Sequence, residues 1–429
     1  MRINVGIVGI GNIGSSVINA IESNKKRYKS LYDLEIKILG ISGKNKRKKR
    51  TFNIANYIWF DNPIDMTINQ NIDLIVELVG GSSGLALELA KNALNNKKHL
   101  VTANKAMIAI HGKFLSNLAH KNRVNLSYEA SVAGAVPIIR TIQNGLLAGN
   151  IKNIYGILNG TCNYILTQMR EKKVSFKEAL KKAQQNGFAE ANPSDDISGR
   201  DTAYKLNILS SLSYSLDTKV KNIYVEGITN INEIDLNISD KLGYVLLLLG
   251  ISELKKNKIF QRVHPCLVSK ESILSKVKNE INTVIIEDKI SGKIMIAGKG
   301  AGKLPTSSAV IADIINLNEN KLKSLRGERT SLPSKISITG DIRDRLGKFY
   351  IRLQVKDRPG VLADITSSFK RQKISISSMF QLESKNKKTL PVIFITHKIK
   401  EGDLNLAVKK IEKIDKVLKK ATIIRIENI

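Results

Sequence analysis

Apolar residues fill positions 3–9 almost without interruption, a Gly-x-Gly-x-x-Gly turn follows, and Val17, Ile18 and Ile21 then recur at helical spacing. That order reads as a buried strand, a tight turn and an amphipathic helix. A second apolar run at 34–41 completes a βαβ unit. Strand-like runs at 72–78, 99–102 and 124–128, separated by helical segments, extend the alternation. The pattern predicts an α/β fold with a doubly wound parallel sheet of the Rossmann type.

Beyond Pro137 the rhythm lengthens. Helices are expected around 177–186, 199–212 and 240–254, with strands at 153–158, 261–268, 283–288 and 292–297, which together describe an α+β domain. The segment 304–316 has helical periodicity and is expected to return to the first domain. A polar stretch at 318–345, rich in Lys, Ser, Arg and Gly, reads as a linker. After it come a strand at 349–355, a helix at 361–372, strands near 374–383 and 390–397, a helix at 404–414 and a strand at 421–426. The order βαββαβ is ferredoxin-like. The partition expected is 1–132 for dinucleotide binding, with a return helix near 303–318; 133–302 for the substrate and for dimerisation; 319–348 as linker; and 349–429 as a small C-terminal domain.

Composition narrows the picture. A chain of 429 residues with 42% hydrophobic content exceeds one compact core. Its longest apolar runs, such as 243–251, fall short of the about 20 residues that cross a bilayer, so no membrane span is expected. The glycines at Gly9, Gly11 and Gly14 interrupt what would otherwise resemble the apolar region of a signal peptide. Two cysteines, Cys162 and Cys266, are too few for a disulfide framework or a zinc site and fit a reducing cytoplasm. The formal charge of +31 raises the possibility of a nucleic-acid partner. The lysines are scattered, aromatics make up only 5%, and no recognition motif accompanies them, so none is expected. The five histidines (His99, His111, His120, His264 and His397) show no metal-ligand spacing.

The glycine turn is placed as a dinucleotide site requires. Gly9 allows the sharp turn, Gly11 lets the backbone approach a pyrophosphate, and Gly14 permits close helix packing; Asn12 and Ile13 complete the loop at the helix N-terminus, whose N–H groups suit phosphate oxygens. The second strand ends in Ile41-Ser42-Gly43 with no carboxylate for a ribose hydroxyl, and the basic run 44–50 follows at once. NADP is therefore expected over NAD, with Lys44 and Arg47 as candidates for the 2′-phosphate. A merely solvated basic loop is the competing reading.

The segment 187–205 gathers Glu190, Asp195, Asp196, Asp201 and Lys205. Asp201 and Lys205 are four apart in a helical pattern and share a face. Spacing alone describes an acidic loop, a capped helix and a surface ion pair.

This segment resembles the substrate loop and catalytic helix of homoserine dehydrogenases. So do VELVGG at 76–81, VTANKA at 101–106, YEASVAGAVPII at 128–139, GILNGTCNYIL at 156–166 and VHPCLV at 263–268, in the family's order. The resemblance implies reversible reduction of L-aspartate 4-semialdehyde to L-homoserine, in threonine, methionine and isoleucine biosynthesis. It makes Lys205 the general acid, places Lys105 between nicotinamide and substrate, gives Glu190 the substrate ammonium, and lets Asp201 hold substrate and orient Lys205. Asp195 and Asp196 belong to the same substrate loop. Gly187 and Gly302 are implied to approach the cofactor, as is Lys105. Glu129, Val132, Gly134 and Val136 match positions that ligate a monovalent cation, Na+ being expected, through a carboxylate and backbone carbonyls. Cys162 departs from the family, where many members carry Thr.

Asp357-Arg358-Pro359-Gly360, between a strand and a helix, resembles the ligand loop of the ACT domain. The resemblance implies threonine as an effector bound near Asp357, Pro359 and Gly360; a chain cut at the linker end, about residue 346, is expected to stay folded because both catalytic domains have their own cores. The resemblance also implies a homodimer or homotetramer. The rivals are another ACT-containing dehydrogenase of amino-acid metabolism, such as the phosphoglycerate type, and a cationic nucleic-acid-binding protein.

Overall fold

The computed structural model describes residues 1–319, 340–382 and 389–429. Most of the expected linker, and the end of the strand expected near 374–383, lie outside the described residues. The chain divides into two compact units, each assembled from separate stretches. The first takes 1–160, 201–223 and the stretch from 280 through the helix ending at Glu319; the second takes 161–200, 224–279 and 340 to the C-terminus, less 383–388.

The first unit opens with β1 (Arg2–Val8), α1 (Asn12–Tyr32) and β2 (Glu35–Ser42), followed by β3 (Ile58–Trp59), β4 (Leu74–Glu77), β5 (His99–Thr102) and β6 (Leu126–Ser127). All six strands are parallel, in the order β3-β2-β1-β4-β5-β6. Val5, Ile7 and Val8 of β1 are buried, as a central strand covered on both faces must be. Strand order reverses between β1 and β4, so the glycine turn after β1 stands at the switch point where such sheets bind ligands. The helix Lys303–Glu319 returns to this core: Val310, Ile311, Ile314 and Leu317 share it with Ile10, Val17, Ile18 and Ile21. A second, antiparallel sheet in this unit runs Ile151–Ile157, Ile281–Asp288 and Gly292–Lys299.

In the second unit the helix expected at 240–254 is replaced by a short helix, Glu233–Lys241, and a strand, Tyr244–Lys255. Gly243, at φ +80, ends the helix, and the run Val245–Ile251 is buried on every side. An unbroken apolar run has no periodicity to separate buried strand from buried helix. What decides is the next segment: Lys256 and Asn257, both at positive φ, close a two-residue hairpin onto the strand Lys258–Ser269.

The C-terminal part has the expected βαββαβ order: Leu346–Lys356, Val361–Arg371, Ile376–Gln381, Thr389–Thr396, Glu401–Ile411 and Thr422–Glu427. Phe349, Phe369 and Phe394 anchor its core. It clusters in one unit with 161–200 and 224–279. Its last strand, Thr422–Glu427, pairs with Leu346–Lys356 on one edge and in parallel with Lys258–Ser269 on the other. Arg262, 3% exposed, binds Glu253 at 2.5 Å and Glu427 at 3.2 Å, while Arg345 also meets Glu427. Burial alone would lower the Arg262 pKa, but Glu427 and Glu253 hold it charged. Removing one side of such a buried pair costs about 3–5 kcal/mol. His264 and Cys266 of the VHPCLV segment are buried in this same region, where desolvation keeps the imidazole and the thiol neutral.

Candidate active site

The glycine turn is built as its sequence required. Gly9 sits at φ +96, and any Cβ there would strike the Leu78 backbone; a Cβ on Gly14 would collide with the Gly9 carbonyl. Gly11 faces open space, with nothing within 4 Å of where a Cβ would stand. It caps α1 without a side-chain hydrogen bond, leaving the first N–H groups of the helix available to an anion.

Lys44 and Arg47 are exposed on the loop after β2. Arg50 folds that loop around itself, donating to the carbonyls of Asn45 (2.5 Å), Lys46 (3.2 Å) and Lys48 (2.7 Å). Its guanidinium and the Lys46 ammonium both lie over the Trp59 ring.

A buried network positions Lys105. Glu77, fully buried, accepts from the N–H groups of Val79 (2.7 Å) and Gly80 (3.0 Å) and from the Thr102 hydroxyl (2.6 Å). Thr102 in turn accepts from the Asn104 N–H at 2.9 Å. Asn104 donates to the Gly81 carbonyl and caps the helix Lys105–Lys121 through the Met107 N–H. Lys105 is thus the first residue of a helix whose entry is fixed by hydrogen bonds from two preceding loops. Asn207, on the helix Arg200–Tyr214, donates to the Ala109 carbonyl at 2.8 Å and ties the two helices together.

Asp201, in the first turn of the helix Arg200–Tyr214, is 2% exposed. Its Oδ1 meets Lys105 Nζ at 2.5 Å; its Oδ2 accepts from Lys205 Nζ at 2.8 Å and Asn159 Nδ2 at 2.9 Å. Burial would raise the Asp201 pKa, but the ammonium groups of Lys205 and Lys105 hold it well below the usual carboxylate range. Lys205 also donates to the Leu158 carbonyl at 2.8 Å. Asp201 and Leu158 are its partners among the described residues, so one of its three N–H donors is left for another acceptor. Lys205 is nearly enclosed, whereas Lys105 is 44% exposed.

The acids of the segment 187–199 belong to the second unit. Glu190 and Asp195 are exposed, Asp196 is half-buried, and Asp195 pairs with Arg200 at 3.3 Å. Gly187, at φ +73, opens the loop, and Gln184 holds the carbonyls of Glu190 and Ala191. Cys162 has a polar contact after all: its buried thiol donates to the Asp196 carbonyl at 3.2 Å. Thr161 donates to the Phe188 carbonyl at 2.6 Å.

Glu129 and Asp313 are buried acids that share Arg140. Glu129 accepts from the N–H groups of Ile139 (2.8 Å) and Arg140 (2.9 Å), and Asp313 accepts from the Glu129 N–H at 2.9 Å and pairs with Arg140 at 3.2 Å. Desolvation raises the Glu129 pKa; desolvation and then the Glu129 charge push Asp313 up to about 7. Two buried acids facing one arginine leave room for a further positive charge. The adjoining loop carries Val132, Gly134 and Val136, with Ala133 and Gly134 both left-handed; a Cβ on Gly134 would meet the Gly300 backbone at 2.7 Å. The Val136 carbonyl already accepts from the Ile138 N–H at 2.8 Å, which occupies one of its two lone pairs. Among the described residues no group of three His, Cys, Asp or Glu side chains gathers as a metal site, so a cation here would rely on carbonyls. The oxygen-only donors fit a hard monovalent ion.

Gly302, at φ +113, starts the return helix Lys303–Glu319. In the second unit Asp357, Pro359 and Gly360 are exposed, and Gly360, at φ +82, precedes the helix Val361–Arg371 with no side-chain cap. Among the described residues no helix is long and apolar enough to cross a membrane.

Sequence reasoning missed Glu77, Thr102, Asn104 and Asn159, which position the lysines, and Asp313 with Arg140. The first four lie inside the motifs already singled out. Asp313 is one acid in an apolar helix and carried no other signal.

The comparisons agree in direction. The family profile for the homoserine dehydrogenase NAD-binding domain matches residues 9–129, that for homoserine dehydrogenase matches 137–315, and that for the ACT domain matches 349–416. The homoserine dehydrogenase of Helicobacter pylori is 38% identical over 430 residues, covering 100% of this chain and 99% of its own. The crystal structure of a homoserine dehydrogenase from Thiobacillus denitrificans matches with a TM-score of 0.89 at 34% identity, over 100% of this chain and 99% of that one. A hyperthermophilic archaeal homoserine dehydrogenase in complex with NADPH matches with a TM-score of 0.64 at 26% identity, over 75% of this chain and 98% of that one.

Proposed function

This chain belongs to the homoserine dehydrogenase family and carries an ACT domain; we propose that it reduces L-aspartate 4-semialdehyde to L-homoserine, reversibly, with NADPH as its preferred cofactor. The observation that carries the mechanism is the buried Asp201 carboxylate held between Lys105 and Lys205. Gly9, Gly11 and Gly14 would hold the pyrophosphate of a nicotinamide cofactor, which when bound would supply the hydride. Addition of hydride to the aldehyde carbon leaves an alkoxide oxygen, and the free N–H of Lys205 gives that oxygen its proton, producing the alcohol. Asp201 holds and aims the Lys205 ammonium group. Lys105, at a helix start and partly open, sets a positive field beside the reacting carbonyl. Glu190 binds the substrate ammonium, with Asp195 and Asp196 completing the loop.

In this reading 1–132 and the helix near 303–318 hold the cofactor, 133–302 holds the substrate and the dimer contact of a homodimer or homotetramer, and 349–429 is regulatory. NADPH is favoured by the exposed Lys44 and Arg47 and the absence of a carboxylate at the end of β2. The protein backbone at Gly187 and Gly302 approaches the cofactor. Glu129, Val132, Gly134 and Val136 hold a monovalent cation, supported by the two buried acids against one arginine. The ACT domain binds threonine at Asp357, Pro359 and Gly360 and lowers activity, making the enzyme an end-product-controlled step of threonine, methionine and isoleucine biosynthesis. The setting is the reducing cytoplasm, where thiols such as Cys162 and Cys266 stay unpaired.

Steady-state rates with homoserine and each cofactor, with and without threonine, test this. Homoserine-dependent reduction of NADP in preference to NAD, lowered by millimolar threonine, is the expected result. Preference for NAD would remove the 2′-phosphate assignment. Indifference to threonine, with no heat of amino-acid binding, would remove the regulatory one.

A further inference from the structure

Within the second unit, the strands of the ACT domain grip the segment that supports the substrate loop. Residues 226–235 form a strap with an acid at either end. At one end Glu226 accepts from Arg425 Nη1 at 2.7 Å and from the Tyr224 hydroxyl at 3.0 Å. Arg425, 3% exposed, is itself fixed by Glu401 and stacks over the Tyr224 ring. At the other end Asp235, fully buried, accepts from the Tyr350 hydroxyl at 2.8 Å and from Arg352 Nε at 2.7 Å, while forming a capping box with Asn232. Both clamps therefore come from ACT strands, Leu346–Lys356 and Thr422–Glu427.

The middle of the strap touches the substrate loop. Ile228 N–H donates to the Ile197 carbonyl at 2.9 Å. Gly227 lies so close to Ile197 and Ser198 that a Cβ would collide with the Ile197 carbonyl oxygen and the Ser198 backbone. Gly199, at φ +84, packs on Val225 and Val263. These contacts set residues 196–199, and the chain continues directly into the helix that carries Asp201 and Lys205.

We infer that Glu226 and Asp235 are positioning residues through which the ACT domain fixes the substrate loop. This rests on the reading of 187–199 as that loop. A charge-assisted clamp inside a buried network is held in one geometry, so a change in the ACT strands reaches Ile197 through two hydrogen-bonded ends rather than through a flexible tether. Coupling of this kind is a free-energy difference and needs a direct measurement, not spatial intermediacy alone.

The test uses the full-length enzyme with Glu226→Gln, which keeps the shape and removes the charge, and Gly227→Ala, which presses the strap off the loop. Each is expected to raise KM for homoserine roughly 3-fold to 20-fold and to speed amide exchange at 187–199. Asp364→Asn, which breaks an exposed ion pair with Lys416 inside the ACT domain, is expected to move neither. Faster exchange at 187–199 with unchanged homoserine KM would uphold the coupling and instead sink the substrate-loop reading. Unchanged exchange at 187–199 in both strap variants, folded as shown by near-native melting, would overturn the inference.

Discussion

Lys205 and Asp201 lie one turn apart on a single helix, with Nζ 2.8 Å from Oδ2, and the same carboxylate meets Lys105 from a different helix. A surface i,i+4 pair contributes a few tenths of a kcal/mol. Here the pair is enclosed and its carboxylate serves two ammonium groups, so its worth lies in the geometry it imposes. Replacing Asp201 with Asn is expected to lower kcat strongly in both directions while leaving cofactor binding near normal. A variant with altered cofactor affinity and intact kcat would contradict the placement of Asp201 between the lysines.

Asp201 also has an acid-side consequence. Its folded pKa lies below its unfolded value, so its contribution to stability is present above about pH 4 and is lost as pH falls through the folded value. Acid unfolding followed by circular dichroism is expected to shift to higher pH in Asp201→Asn. Superimposable curves would show that its ion pairs contribute nothing net.

Asp313 has the opposite sign. Burial and the neighbouring Glu129 raise its folded pKa to about 7, so the stability of the protonated form is fully present below about pH 4 and is lost as pH rises toward 7. Asp313→Asn is expected to flatten the fall in Tm across that window. A bound monovalent cation would offset the loss, so NaCl is expected to raise Tm at pH 8 more than choline chloride at equal ionic strength. Equal effects of the two salts would remove the cation assignment from Glu129 and its loop.

Lys44 and Arg47 are exposed, and Arg50 rather than either of them shapes the loop by holding its carbonyls. Lys44→Ser with Arg47→Ser is expected to raise KM for NADPH several-fold and leave KM for NADH alone. Equal change for the two cofactors would make the run a solvated loop.

Removing the C-terminal part from residue 346 is expected to yield an insoluble or unfolded chain. The cut strips Arg262 of Glu427 and Asp235 of Tyr350 and Arg352, and bares the edge of the strand Lys258–Ser269. A soluble truncation with a cooperative melt would show that this edge is self-sufficient.

Much of this architecture was legible because local pattern and local chemistry coincide. The glycine turn needs only the strand before it and the helix after it, and Gly9 and Gly14 take the tight turn and the close packing that their spacing predicts. The strand Tyr244–Lys255 reads as helix from sequence because an apolar run buried on both faces has no period, and its hairpin uses Lys256 and Asn257 rather than a familiar Asn-Gly pair. Asp201 and Lys205 share a face in any helix, but spacing could not say that Asp201 would be buried against Lys105. That pairing joins residues almost a hundred positions apart. The clamps on Glu226 and Asp235 were invisible for the same reason, since Arg425, Tyr350 and Arg352 look like ordinary strand residues until the sheet assembles.

In the proposed mechanism Lys205, held by Asp201, protonates the oxygen formed at the substrate carbonyl. The direct measurement is homoserine-dependent reduction of NADP, and the reverse reaction with aspartate semialdehyde, by the native chain and by Lys205→Ala. The expected result is a kcat lowered by roughly 10²-fold or more in both directions, with cofactor affinity unchanged. Near-native turnover by Lys205→Ala in either direction would contradict the account.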